Sequence, residues 1–383
     1  MAWTIYDERL EKFQRNCTGG GLMIKNICEY IGKKEESYLF IGSCHLPKMK
    51  IGNIHIVGTD MKIDDADNDL VRDKIYIKNM TTKFALALED IKPDIVNFHG
   101  LGVLVRYCIQ VCIEKKIPYV YTEHLYIGLN EVIENYVTSI EWEKMLFGIS
   151  QLPIIAVSHG MKEKILQDFP QSQIKVILNG TNFIAEKVES DYRDTYNLQD
   201  KKVLLCVGTI SARKNQTQLV NVYLKLPIEI QDNLKIIFCG RDSTQGKLQE
   251  SICLAGLEDK LIYVGAVSSE EMKKYYSIAD GLIMPSIAEG LSIAALEAIA
   301  YGLPIIMFSD SECVKDLNDE NVTCFAEKRD DNSLVEAIKK WYMYNWDKNY
   351  IIKFSKYFSM ERVAEDYINY YKCRLSKEVN RLS

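Results

Sequence analysis

Short apolar runs alternate with amphipathic helical patterns along most of the chain, and this alternation constrains the fold more than any other feature. Strands that alternate with helices form βαβ units, so the pattern predicts an α/β protein with parallel sheets. The strands predicted in the first half are 37–41, 54–57, 95–98, 119–122 and 154–157. Those predicted in the second half are 202–207, 234–239, 261–264, 281–284 and 304–308.

The alternation occurs as two successive series, which predicts two doubly wound domains. A chain of 383 residues is also longer than one hydrophobic core usually organises. We predict an N-terminal domain over 1–178 and a second domain over 179–356, with a last segment, 357–383, whose helix crosses back to the first domain. The predicted helices between strands are 22–31, 103–115, 162–169, 216–223, 244–255, 270–278 and 292–300. Only 3–6 is a candidate for the first strand.

The composition is typical of a soluble, globular protein. Hydrophobic residues make up 47% and charged residues 26%, and the net charge of −6 argues against a nucleic-acid partner. The sequence has no uncharged apolar run of about 18 residues and no apolar leader, so we expect a cytoplasmic location. The 11 cysteines are scattered and odd in number, as in a reducing compartment. The aromatic segment 341–354 leaves open a peripheral contact with the inner face of a membrane, although packing against its own domain explains it better.

Three of the five histidines closely follow predicted strands of the first half. His99, His124 and His159 come after 95–98, 119–122 and 154–157 respectively. Parallel strands place their carboxyl ends at one edge, where ligands bind in such folds. A histidine after a strand is often only a structural hydrogen-bonding group, but three on one edge favour an acceptor site or cleft there.

The segment 285–304, PSIAEGLSIAALEAIAYGLP, carries two glutamates eight positions apart around a predicted helix start. Gly290 allows a close turn, Ser292 is a plausible N-cap, and Gly302 with Pro304 is expected to end the helix. The first amides of this helix are a ready site for phosphate. A carboxylate beside phosphate needs its own donors, which sugar and ribose hydroxyls supply. The alternative is an ordinary capped helix with a solvated Glu297.

The segment VGTISARKN places Arg213 and Lys214 after the first strand of the second domain, near Gly208. A forked guanidinium and a point charge suit a diphosphate. The alternative is a solvated helix start, but cations there oppose the helix dipole and are better explained by a bound anion.

With these motifs the chain resembles the nucleotide-sugar glycosyltransferases of family 4, which have the GT-B fold of two Rossmann-like domains facing across a cleft. The resemblance covers most of the chain. Its motifs are the glycine turn at 18–21, PDIVNFHG, VSHGMKEKI followed by VILNGTNF, VGTISARKNQ and EGLSIAALEAIAYGLPII.

The resemblance implies a role for each candidate residue. Glu289 would contact the donor sugar and Glu297 the ribose. Lys214, with Arg213, would hold the diphosphate, and His124 would line the reaction centre. Further donor-binding positions are Gly20, Gly21, Gly208, Thr209, Gly290, Leu291, Ser292 and Ile293. Thr209 stands where the family usually has arginine, and Ser292 replaces a glycine.

The reaction implied is retaining transfer of a hexosyl unit from a nucleotide sugar to a glycan, lipid-linked or protein acceptor, as in polysaccharide biosynthesis, and we expect a UDP-linked donor. No cofactor and no metal are expected. Asp65-Ala66-Asp67 and Asp67-Asn68-Asp69 match a metal-binding pattern but lie in a polar stretch typical of a solvated loop. A GT-B epimerase and a non-catalytic GT-B scaffold remain alternatives. A dinucleotide-dependent oxidoreductase is disfavoured because the three glycines do not fit G-x-G-x-x-G.

Overall fold

The computed structural model describes residues 19–45, 49–59, 69–100, 103–129, 137–149, 151–186, 188 and 190–382. The chain forms two compact units: Met1–Gly180 with Met360–Ser383, which we call the N unit, and Thr181–Ser359, the C unit. The candidate strand at 3–6 and the acidic residues Asp65 and Asp67 lie outside the described residues, whereas Asp69 begins a helix.

The N unit is an α/β arrangement with two sheets among the described residues. Its elements before the C unit are α1 Gly19–Ile31, β1 Ser37–His45, β2 Met49–Ile51, β3 Ile54–Thr59, α2 Asp69–Ile91, β4 Val96–His99, α3 Val103–Glu114, β5 Tyr119–Glu123, α4 Val137–Phe147, β6 Pro153–Ala156, α5 His159–Asp168 and β7 Gln173–Val176. One sheet has the order β1-β3-β2 and the other is β4-β5-β6-β7. The second is wholly parallel, so the ends of β4, β5 and β6 share one edge.

Strand β2 was not predicted, and it runs antiparallel to β3. Two residues connect these strands, and Gly52 adopts φ +56°, which glycine tolerates and a tight hairpin needs. Strand β2 has three residues, which are too few to show the alternation of apolar and polar positions that predicts a strand. The predicted glycine turn is also wrong, because Gly19–Gly21 form the first turn of α1. Tertiary packing overrides the low helix propensity of glycine there.

The C unit is built on one six-stranded parallel sheet. Its elements are α6 Tyr192–Thr195, β8 Lys202–Val207, α7 Gln218–Leu224, α8 Ile228–Asn233, β9 Leu234–Cys239, α9 Lys247–Leu254, β10 Leu261–Gly265, α10 Ser269–Ile278, β11 Gly281–Met284, α11 Ile293–Ala300, β12 Ile305–Phe308, α12 Val314–Leu317, β13 Thr323–Ala326, α13 Asp331–Met343 and α14 Lys348–Ser355. Strands β9, β11 and β12 are buried at every residue, as expected for a sheet covered on both faces.

The strand order β10-β9-β8-β11-β12-β13 is the doubly wound Rossmann order. From β8 the chain continues to β9 and β10 on one side of the sheet. It then returns to β11, next to β8, and continues to β12 and β13 on the other side. Adjacent crossovers therefore diverge between β8 and β11. A crevice opens at such a point outside the carboxyl ends of the strands, and both motif loops begin there.

The aromatic segment 341–354 packs into the C unit at its start. Trp341 is 1% exposed within the main core, with Tyr342 and Trp346 packed against that core. Gly281 makes room for it, since a Cβ there would lie 2.5 Å from the Trp341 Nε1.

The last helix, α15 Met360–Leu382, belongs to the N unit, as the predicted crossing implies, and is longer than the pattern indicated. It packs against α1, where Lys34 Nζ lies 2.6 Å from Glu365 Oε1. Tyr371 Oη accepts a 2.7 Å hydrogen bond from Nδ2 of Asn97, which is the second residue of β4. Within the described ranges, no helix has both the length and the apolarity needed to cross a bilayer.

Candidate active site

The loops that follow β8 and β11 are cross-linked by hydrogen bonds. The amide of Ile287 donates to the carbonyl of Arg213 at 2.8 Å. The Arg213 guanidinium returns a bond from Nη1 to the carbonyl of Ala288 at 2.6 Å. The two motifs that the sequence separates by about 75 residues are therefore one structural element at the edge of the sheet.

Three predicted catalytic residues form one charged cluster in these loops. Lys214 Nζ donates to Glu289 Oε1, and Arg213 Nη1 lies 3.6 Å from the same oxygen. Only 14% of the Lys214 side chain, 16% of Arg213 and 8% of Glu289 is exposed. Burial alone would raise the pKa of Glu289, but Lys214 and Arg213 outweigh it, and the net effect lowers the pKa. The carboxylate is therefore charged, and the three side chains carry a net charge of +1, not counting the neighbouring carboxyl group of Glu312.

Glu312, which the sequence reasoning missed, fixes the backbone of this cluster. Its Oε2 accepts a 3.1 Å hydrogen bond from the amide of Glu289, and the residue is 7% exposed. It lies in the loop after β12, the next strand in the sheet. An acidic residue after a strand is the only sequence signal for it, and that signal is weak without the sheet order.

Gln216 was also missed, and it holds the loop after β8. Its Nε2 donates to the carbonyl of Thr209 at 3.1 Å, and its Oε1 accepts from the amide of Ser211 at 3.2 Å. Gly208 adopts φ +134°, and a Cβ there would lie 3.3 Å from Lys214 Cε. The loop therefore brings its backbone close to the Lys214 side chain, which the missing Cβ permits.

Helix α11 begins beside Glu289 as predicted, with Ser292 at the N-cap position. The Ser292 side chain makes no capping hydrogen bond, contrary to its expected capping role. At the other end, Gly302 has φ +75°, and the amides of Gly302 and Leu303 bond to the carbonyls of Ile299 and Ala298. This is a Schellman motif, so the predicted glycine stop is confirmed.

Glu297 is buried within α11, so the alternative of a solvated side chain is wrong. It is 7% exposed, and its Oε2 accepts a 2.8 Å hydrogen bond from Tyr276 Oη. Burial raises the pKa of Glu297 to about 7. The Tyr276 ring packs between Phe183 and Tyr301, with centroids 6.0 and 5.6 Å away. The aromatic cluster holds the hydroxyl that orients the carboxyl group.

In the N unit, the structure brings two of the three predicted histidines together. His99 Nδ1 lies 2.9 Å from His124 Nε2, and the two rings are stacked. Burial lowers the pKa of His124 to about 4, and burial together with His124 lowers that of His99 well below its usual value. Both rings are neutral near pH 7. The Nδ1 of His124 is buried and has no hydrogen-bond partner among the described residues.

His159 follows β6 on the same edge of the sheet but is not part of this pair. It is the first residue of α5 and is exposed, after the N-cap Ser158. Gly20 and Gly21 lie in the first turn of α1. Across the described residues, no three His, Cys, Asp or Glu side chains are grouped so as to hold a metal ion.

Comparison with known proteins supports the resemblance to glycosyltransferases that the sequence motifs indicate. The family model for Glycosyl transferases group 1 matches residues 188–356, and that for Glycosyltransferase Family 4 matches residues 70–183. A sucrose-phosphate synthase structure from Thermosynechococcus elongatus superposes with a TM-score of 0.76 over 94% of both chains at 18% identity, which shows a shared fold.

Two curated relatives are similar over shorter stretches. An uncharacterised glycosyltransferase of Methanocaldococcus jannaschii is 25% identical over 57% of this chain and 59% of its own. The O-antigen chain mannosyltransferase RfbU of Salmonella typhimurium is 30% identical over 49% of this chain and 50% of its own. The chain thus spans little more than half the length of these relatives.

The fold is the two-domain α/β architecture of the GT-B proteins. Since the two family models together match most of the chain, at 70–183 and 188–356, the chain belongs to the family-4 glycosyltransferases.

Proposed function

We propose that the protein is a retaining glycosyltransferase that moves a hexosyl unit from a nucleotide sugar to a glycan, lipid-linked or protein acceptor. One observation carries the proposal: the buried cluster of Arg213, Lys214 and Glu289 at the divergence of β8 and β11, beside the start of α11. Its net positive charge and the helix N-terminus suit a diphosphate.

The cluster supports a division of labour between cations and carboxylates. Arg213 and Lys214 bind the diphosphate, and the helix start adds a partial positive charge. Glu289 holds Lys214 in place and accepts hydrogen bonds from the donor sugar through its second oxygen. Negative charge on the leaving phosphate grows in the transition state, so these cations stabilise that state more than the bound donor.

Glu297 binds the ribose of the donor. Its carboxyl group is fixed by Tyr276, is largely buried, and makes no ion pair within the part of the chain that the structure describes. A buried acceptor of this kind favours a neutral polyol over a phosphate. The aromatic cluster keeps the carboxyl group in one orientation, which preserves the affinity that a mobile side chain would lose.

Transfer breaks the bond between the anomeric carbon and a diphosphate oxygen and forms a bond from the acceptor oxygen on the same face. The acceptor proton passes to the leaving phosphate oxygen, so no protein nucleophile and no metal are required. We place acceptor binding in the N unit, at the edge of the sheet where the neutral His99–His124 pair follows β4 and β5. Nine cysteines whose side chains the structure describes are free thiols, which supports a cytoplasmic location.

We favour a UDP-linked donor, and the mannosyltransferase relative makes a mannosyl donor the second candidate to assay. Thermal-shift and turnover screening against UDP-, GDP- and ADP-hexoses identifies the donor. Proton NMR of the product then reads the new linkage, and retention of the donor's anomeric configuration is expected. An epimerised nucleotide sugar with no transfer would indicate the epimerase alternative. Binding without any turnover across donors and acceptors would indicate a scaffold.

A further inference from the structure

The five residues after His124 are held by three carboxyl groups from three different elements. The amide of Leu125 donates to Glu123 Oε1 at 3.1 Å, that of Ile127 to Glu143 Oε1 at 3.4 Å, and that of Leu129 to Asp168 Oδ2 at 3.1 Å. Glu123 ends β5, Glu143 lies in α4 and Asp168 ends α5. We call Glu123, Glu143 and Asp168 the carboxylate clamp. Every second amide of the segment is therefore fixed by an acid.

Two acids of the clamp, Glu123 and Glu143, are buried, and one of their oxygens has no hydrogen-bond partner among the described residues. Glu143 is 0% exposed and Glu123 is 3% exposed. Tyr121 Oη donates to Glu123 Oε2 at 2.7 Å. The Oε2 of Glu143 is buried with no hydrogen-bond partner in the part of the chain that the structure describes. A buried carboxylate oxygen without a donor is costly, so this geometry favours a protonated acid.

Few charges face the clamp to offset its own. Lys164 of α5 is the cation that acts on Glu143, whereas Asp168 and Glu123 oppose its ionisation. Among the described residues, the other titratable groups that face the clamp are the phenols of Tyr121 and Tyr126 and the neutral His124 ring. Tyr126 Oη donates to Asp168 Oδ2 at 2.6 Å. The site therefore has an excess of acids over bases.

We propose that the carboxylate clamp positions segment 125–129, and with it the His124 ring, only while Glu123 and Glu143 share at least one proton. When both acids are charged, mutual repulsion and the hydration of Glu143 Oε2 oppose the burial that the amide bonds require. Glu123 and Glu143 are then positioning residues for His124. Their effect on turnover rests on the proposed function, but their effect on the segment does not.

The direction of the pH dependence follows from burial. Burial raises the pKa of Glu123 to about 7, and burial with the charge of Glu123 raises that of Glu143 to about 8. Both values exceed those of the unfolded chain. The stabilisation that the clamp provides is thus fully present below about pH 4.5 and is lost as pH rises through 7 to 8.

Hydrogen exchange tests the clamp without any turnover. Protection factors of the amides at 125, 127 and 129, which remove the intrinsic effect of pH, are measured from pH 6 to 9. We expect these protection factors to fall about tenfold or more between pH 6 and 9, as they would if the ionisation of one acid were coupled to opening of the segment. Glu143→Gln, which mimics the neutral acid, should keep the protection at pH 9. The matched control Glu89→Gln, an exposed acid of α2 paired with Lys115, should fall like the parent.

Constant protection from pH 6 to 9 in the parent, or an equal fall in Glu143→Gln, would overturn the clamp. If Glu143→Gln does not fold, Glu123→Gln provides the same comparison. In the parent transferase, kcat/KM should decline on the alkaline side, and Glu143→Gln should move that decline to higher pH. Absence of turnover in the parent would reject the proposed function, while the exchange measurement would still decide the clamp.

Discussion

Replacing Lys214 by methionine removes the ammonium of the candidate donor site and keeps most of the side-chain length. In the structure this ammonium is bonded to Glu289, and both side chains are largely buried, at 14% and 8% exposed. The substitution leaves Glu289 with Arg213, whose Nη1 lies 3.6 Å away. It therefore tests how far the stability and the activity of the cluster depend on the ion pair between Lys214 and Glu289.

Removing one partner of a buried ion pair costs about 3–5 kcal/mol, because the remaining charge stays buried. Arg213 continues to compensate Glu289, so we expect a loss of about 2 kcal/mol in the free energy of unfolding. Lys225→Met is the matched control, since Lys225 pairs with Asp331 at 2.7 Å but is 49% exposed. An exposed pair contributes about 1 kcal/mol or less. Turnover should fall about 10²-fold for Lys214→Met only.

Urea unfolding of Lys214→Met, Glu289→Gln and the double variant measures the coupling, which should be about 1–3 kcal/mol. The pH dependence gives a second readout. Since the cations lower the pKa of Glu289, its stabilisation is present above about pH 4.5 and is lost as pH falls through the lower folded value. Lys214→Met should weaken this acid dependence. Equal stability and equal turnover for Lys214→Met and Lys225→Met would refute the reasoning.

The remaining predictions concern ribose binding, the acceptor side and metal dependence. Glu297→Gln and Tyr276→Phe should each weaken nucleoside binding about tenfold in calorimetry, because each disturbs a buried acceptor. For the parent, uridine, which carries no phosphate, should bind more tightly as pH rises through 7, since burial raises the pKa of Glu297 to about 7 and the carboxylate is the better acceptor. A pH-independent affinity would contradict this role. His124→Ala should reduce kcat more than nucleotide affinity, and an equal loss in both would argue against acceptor-side action. Activity should persist in excess EDTA, and loss reversed by Mg²⁺ or Mn²⁺ would contradict metal independence.

The strands of the C unit could be predicted from the sequence because the sheet is buried on both faces. The ranges predicted for β8, β9 and β11 coincide with those observed, as each is dominated by an apolar run (VLLCV, IIFC and GLIM) between polar loops. The stop at Gly302 was predictable because the left-handed conformation there favours glycine. Helices α2, α4, α6, α8, α12, α13 and α14 and strands β2, β7 and β13 were missed. The polar face of α2 and the three or four residues of the missed strands give weak periodicity.

The candidate site was predictable as a set of residues but not as a set of contacts. The spacing of Glu289 and Glu297 and the adjacent Arg213 and Lys214 indicated a donor site, but their motifs are far apart in the chain. Neither the ion pair with Glu289 nor the bond from Tyr276 to Glu297 has a local pattern. Both depend on sheet order, which brings distant loops to one edge.

The location of the donor diphosphate is tested most directly by calorimetry with a free nucleoside diphosphate. The parent, Lys214→Met and the double variant Asp65→Asn/Asp67→Asn are compared in EDTA and in excess Mg²⁺. Loss of a charged hydrogen bond to phosphate predicts affinity about tenfold or more lower for Lys214→Met and unchanged for the double variant. Unchanged affinity in Lys214→Met, with binding lost in the double variant, would place the diphosphate outside the C unit and contradict the account.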